Sequence, residues 1–95
     1  SWHANYTGGY VMTKPVTFDG SELEINFSSS AFGDVTVTVC EENGNELDGY
    51  KSIKIFGDSV DRKVKFEKDL KLLENCPVRL KFELRDCDIY SFKFN

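Results

Sequence analysis

The sequence predicts an all-β fold, a two-sheet antiparallel β-sandwich with jelly-roll or Greek-key wiring, and three observations carry that expectation. First, residues 77–95 alternate apolar and polar: Val78, Leu80, Phe82 and Leu84 fall on one side and Arg79, Lys81, Glu83 and Arg85 on the other. Tyr90, Phe92 and Phe94 resume the pattern after Asp86, Cys87 and Asp88, so the stretch reads as a half-buried hairpin around a short acidic break. A helix would scatter apolar residues spaced by two around its whole circumference. Second, the same alternation recurs upstream in several short runs. Third, turn-forming residues separate those runs at intervals of roughly ten residues, the rhythm of seven or eight short strands in a sandwich.

Taken in order, residues 1–9 hold Trp2, His3, Tyr6 and two glycines with no period. They read as an irregular linker from an upstream domain, leaving 10–95 as a single sandwich domain. Tyr10 to Thr13 can extend as a strand, and Pro15, which has no N–H to donate, keeps the next stretch off a central ladder. Val16 and Phe18 lead into the turn pair Asp19-Gly20, after which Leu23, Ile25 and Phe27 alternate with polar neighbours. Ser28 to Gly33 is a run of small residues and reads as a connection. Val35, Val37 and Val39 form the next strand, and Asn43-Gly44-Asn45 suits a tight turn because Gly and Asn tolerate positive φ. Ile53 and Ile55 make a weaker strand. After Gly57, Val60, Arg62, Val64 and Phe66 take one face of another strand, with Arg62 the odd member of an inner row. Asp69 is placed to cap a single helical turn ending at Leu73, too short to stand alone.

Composition narrows the function classes. With 40% apolar residues the chain can bury one core, and no apolar run approaches the roughly 18 residues of a membrane-crossing helix. The formal charge of −4 is spread as mixed Lys and Glu along the strands, which offers no basic stripe for phosphates and argues against a nucleic-acid partner. Cys40, Cys76 and Cys87 are odd in number and lack C-x-x-C spacing or a nearby His, so thiols are expected and neither a metal nor a cofactor is. One disulfide with a leftover thiol remains an open alternative. Met12 is the sole methionine, so the chain reads as an excised or processed piece of a longer protein.

Few residues offer chemistry. Asp58 with Asp61, or Asp86 with Asp88, would have to stand about 5 to 10 Å apart to act as a glycosidase pair. Asp in turn-like breaks more commonly binds turn N–H groups, and no ligand loop for calcium surrounds either pair. His3 lies in the expected linker, a poor place for a catalytic base. Arg62 on an inner face needs a carboxylate to survive desolvation, so a structural ion pair with Asp58 or Asp61 is expected. Sugar rings stack on exposed aromatic faces, and Trp2, Tyr6, Tyr10 and Tyr50 are the candidates left once Tyr90, Phe92 and Phe94 are assigned to the core.

Three stretches together resemble a known family: Thr13-Lys14-Pro15-Val16-Thr17-Phe18-Asp19-Gly20 with Leu23-Glu24-Ile25-Asn26-Phe27-Ser28, then Gly57-Asp58-Ser59-Val60-Asp61-Arg62, then Pro77 through Phe92. In order and spacing they are similar to the C-terminal β-sandwich of bacterial putative glycosyl hydrolases, proteins with a five-bladed-propeller domain of the family 32/43-like kind. Phe66 stands where that family commonly has Trp, Cys87 where it has a small Ala, and Asn75 near a usual Gly. The resemblance implies a β-sandwich and transfers no catalytic residue, because the reacting carboxylates of such proteins belong to the propeller. It implies a non-catalytic accessory module whose partner is the upstream glycosidase-like domain of the same chain. A carbohydrate-binding module with weak glycan affinity is the alternative; a free-standing enzyme is not expected.

Overall fold

A computed structural model of the 95-residue chain describes residues 2–4, 9–20, 22–52, 54–57 and 59–94; the side chains of residues 2–4, 30–32 and 59–61 lie outside that description. Its strands are β1 (Trp2–Ala4), β2 (Gly9–Met12), β3 (Leu23–Glu41), β4 (Glu46–Lys51), β5 (Ser59–Val64) and β6 (Val78–Phe94). All pairings are antiparallel. The chain is all-β as expected, but the strands form one six-stranded sheet curled into a half-barrel rather than two separate sheets.

Two long strands organise it. β3 and β6 run side by side at the centre; β2 and β1 border successive parts of β6, while β5 and β4 border successive parts of β3. The acidic break at 86–88 is therefore not the turn of a hairpin, since β6 continues through it as one strand, and Ser28 to Gly33 is part of β3 rather than a connection. The irregular segment expected over 1–9 likewise contains β1, paired with Ile89, Asp88 and Cys87.

The sheet bends where the long strands lose register. Ser29 lies opposite Cys87 and Asp34 opposite Arg85, so residues 30–33 of β3 face Asp86 alone. Asp86 takes a φ of 47°, in the left-handed region that Asp enters more readily than most residues. Unequal residue counts on paired strands bend and twist the pair. A second irregularity leaves Tyr90 as the extra residue between Ser91, opposite Asn26, and Ile89, opposite Phe27. Each irregularity shifts the alternation by one place. Inward-facing positions run 78, 80, 82, 84, then 87 and 89, then 92 and 94, and Tyr90, expected in the core, is instead 50% exposed.

The bend folds the apolar rows of β3 and β6 into one core. Leu23, Ile25 and Phe27 from one half join Val35, Val37, Val39, Leu80 and Phe82 from the other, with Phe18, Tyr50 and Leu70 brought in by connecting segments. Phe82 packs on Phe92 at 5.7 Å between ring centroids, and Phe18 stacks on Phe94 at 4.3 Å. Each fully buried large side chain contributes about 1.5 to 3 kcal/mol of transfer free energy, so this cluster is the main favourable term. Phe92 is only half-buried at its margin.

The local signals elsewhere behave as read. Gly44 adopts a φ of 96° in the β3–β4 turn, where its N–H donates to the Glu41 carbonyl at 2.8 Å. Asp69 caps the 3-10 turn Leu70–Leu73, its carboxylate accepting from the Lys71 N–H at 3.0 Å. Asn75 takes a φ of 63°, a conformation Asn tolerates, and its N–H donates to Phe18. Ile55 makes only an isolated bridge with Val35, and Ile53 lies outside the described residues.

Candidate functional site

The outer face of the β2-β6-β3-β4 half carries a polar surface organised by ion pairs. On β3 the even positions Thr36, Thr38 and Cys40 point away from the core, yet all three are buried. Long side chains on the flanking strands account for it. Thr38 lies between Lys81 of β6 and Lys51 of β4, and Cys40 between Arg79 and Glu46. The ion pairs run diagonally over β3: Lys81 Nζ reaches Glu46 Oε2 at 3.2 Å, and Lys51 Nζ reaches Glu83 Oε1 at 3.8 Å. Small residues on the central strand let the apolar stems of these side chains lie flat across it.

Lys81 is the centre of this surface. Besides Glu46 it has the ring of Tyr10 beneath its ammonium, 5.1 Å from the centroid, within the range of a cation–π contact. The hydrogen bond that Lys81 donates to Glu46 chiefly raises the Lys81 pKa above its ordinary value, and burial opposes it. Burial pushes the Cys40 thiol up, with Glu46 adding to the effect. Arg79 closes one end, its Nε donating to the Glu42 carbonyl at 2.7 Å and Nη1 to the Thr13 carbonyl at 3.2 Å. Thr38 Oγ1 is buried under the ion pairs with no hydrogen-bond partner among the described residues.

The four aromatic candidates part company. Tyr50 is 4% exposed, and its hydroxyl donates to the Asp69 carbonyl at 2.9 Å, so it is a core residue tied to the 3-10 turn, not a sugar platform. Burial, and then Asp69, raise its pKa. Tyr10 is 66% exposed on edge strand β2. The side chain of Trp2 and the whole of Tyr6 lie outside the described residues.

Arg62 is exposed rather than buried on an inner face, which removes the desolvation that would have demanded a partner. Asp58 and the side chain of Asp61, its expected partners, lie outside the described residues. Asp86 and Asp88 do not sit in a turn: Asp86 occupies the bulge of β6, and Asp88 is a strand residue opposite Ser28 on one side and His3 on the other. His3 belongs to β1, and its side chain is outside the description. Among the described residues no three His, Cys, Asp or Glu groups gather so as to hold a metal ion. Cys40, Cys76 and Cys87 are thiols not joined in a disulfide, which removes the disulfide alternative.

Sequence reasoning missed the diagonal ion pairs and the buried Thr36-Thr38-Cys40 row. The signal was present in the charged run 79, 81, 83, but only the strand order reveals that β4 supplies the opposite charges. Compared with models of known families, with curated proteins and with solved structures, the chain matches none. The resemblance to glycosyl hydrolase C-terminal domains thus stands on the stretches quoted above alone.

Proposed function

We propose that this domain is a non-catalytic accessory module of a larger glycoside-hydrolase-like protein, and that it works by packing against the neighbouring catalytic-type domain of the same chain. One observation carries the reading: of the two candidate rings whose side chains are described, Tyr50 is sealed in the core and only Tyr10 is exposed. A sugar-binding platform needs a concave or planar arrangement of several polar and aromatic groups. Tyr10, with Lys81 over its ring and a network of ion pairs beside it, suits the polar, aromatic-studded surfaces through which domains of one chain dock. The finer description, a sandwich of the jelly-roll kind, rests on the same resemblance.

The test is to place Tyr10→Ala and Lys81→Ala in the longer protein and follow its thermal unfolding and glycoside turnover. Docking through this face predicts that the neighbouring domain melts earlier in both variants, while the isolated domain keeps its own melting temperature in Tyr10→Ala. An unchanged neighbour in both variants contradicts it. Carbohydrate binding is the alternative; Tyr10, with one ring face open, is the feature that favours it.

A further inference from the structure

We propose that the free edge of β5 accepts an extended acidic peptide segment of another protein as an added strand, with one apolar side chain of that segment entering the mouth of the half-barrel beside Ile55. This goes beyond the accessory reading and does not use the Tyr10 face, which lies at the opposite edge of the sheet.

Among the described residues β5 pairs with β3 alone, so its outer backbone groups face away from the sheet. The segment around Ser52 and Ile55 pairs with the same side of β3 further along: Ser52 and Ile55 both donate to β3 carbonyls at 2.8 Å. The bend of β3 lies between these two pairings, and among the described residues no backbone hydrogen bond joins β5 to Ser52 or Ile55. A cleft of ≈ 280 Å³ lies between them, walled by Ser52 and Ile55 on one side and Arg62, Lys63 and Lys65 on the other. Ile55 and Ser52 are buried, and Phe56, which follows Ile55, is 59% exposed. A second cleft of ≈ 220 Å³ shares Lys63 and Lys65 with it and is lined further by Phe66 and Lys68 and by the carboxylates Glu22 and Asp69.

The charge at this edge differs from that of the rest of the chain. Residues 51–71 hold seven Lys or Arg against four Asp or Glu, whereas the remainder holds five against twelve. Lys63 is paired with Glu22 at 3.2 Å on the exposed surface, but Arg62, Lys65 and Lys68 have no ion pair among the described residues. Arg62 and Lys63, adjacent on a strand, project to opposite faces of it, so an added strand meets cations on both faces. Lysine on an edge strand repels a second copy of the same edge. The same charges select for an acidic strand, as a repulsive element against one partner and an attractive one for another. A peptide is favoured over an anionic glycan because a strand edge offers main-chain hydrogen bonds that only a polypeptide completes.

The test is fluorescence anisotropy of the 95-residue chain with an acetylated, amidated, labelled heptapeptide of alternating glutamate and valine. Three competitors run beside it: the lysine–valine counterpart, the glutamate–valine peptide methylated at alternate backbone nitrogens (both sets), and soluble polygalacturonate. The acidic peptide is expected to bind saturably and more weakly as salt rises, with the lysine peptide inert and at least one methylated set failing. Arg62→Glu with Lys65→Glu should weaken binding by about tenfold or more, and Arg62→Gln with Lys65→Gln by less. Both pairs change exposed residues, and circular dichroism checks that they fold. No saturable binding, binding indifferent to these substitutions or to both methylations, or binding of polygalacturonate without the peptide overturns the proposal.

Discussion

Gly33 lies directly against the backbone carbonyl of Asp86, so close that a Cβ on residue 33 would overlap that oxygen and stand 2.7 Å from the carbonyl of Arg85. This contact is where the two long strands turn together. Both obstructing atoms are main chain, so relief requires moving β6 itself rather than rotating a side chain. Gly33→Ala is therefore expected to destabilise the domain by about 1 to 3 kcal/mol or more, the range for forcing an extra group into a packed site. Chemical denaturation measures it. A loss within the roughly 0.5 kcal/mol of ordinary surface changes would mean that the bend does not depend on this approach.

Phe82 is fully buried and packs on Phe92 across the bend, so it joins the two halves of the sheet. Phe82→Ala is expected to cost about 3 to 5 kcal/mol, while Tyr90→Ala, at the exposed bulge, should fall within about 0.5 kcal/mol. Equal losses at the two positions would contradict the reversed alternation beyond Asp86.

That reversal also marks what the sequence could and could not disclose. Period two is a local property, and it correctly assigned the inner positions Leu23, Ile25, Phe27, Val35, Val37, Val39, Leu80 and Phe82. A break in the period is ambiguous, because a turn and a bulge both interrupt the alternation with small or acidic residues. Asp86-Cys87-Asp88 and Ser28 to Gly33 read as turns when each was taken alone. They are the two sides of one bend, a fact that resides in their mutual pairing and not in either segment. Tyr50 reads as a candidate for sugar stacking, yet Asp69, nineteen positions on, supplies the acceptor that lets its hydroxyl be buried. The capping aspartate and the Asn43-Gly44-Asn45 turn were legible because their partners lie within a few residues.

Three groups should make the fold sensitive to alkali. Cys40, Tyr50 and Lys81 each hold their proton more tightly in the folded state, with pKa values raised above ordinary values of 9.0, 10.0 and 10.5. As pH rises, the unfolded chain releases these protons first, so their contribution is intact below the ordinary values and is lost as pH climbs through the raised ones. Stability from urea denaturation is expected to hold up to about pH 9 and then to fall, Cys40 acting first. Cys40→Ala should flatten the first part of that fall; an unchanged slope would contradict the assignment.

Thiol accessibility follows the same burial. Cys76 is exposed, whereas Cys40 and Cys87 are buried. A colorimetric disulfide reagent at neutral pH is expected to react rapidly with one thiol, to lose that phase in Cys76→Ser, and to reach the other two only on unfolding. Two or three rapid equivalents in the native protein would mean that the outer Thr38–Cys40 row is not covered as described.

The accessory role is tested most directly by calorimetric titration of the isolated domain with a panel of neutral and acidic oligosaccharides. Docking through the Tyr10 face, rather than a platform of several rings, predicts either no heat or dissociation constants in the millimolar range, about −4 kcal/mol, unchanged in kind across the panel. Micromolar affinity for one glycan, abolished by Tyr10→Ala, would contradict the packing account and establish carbohydrate binding in its place.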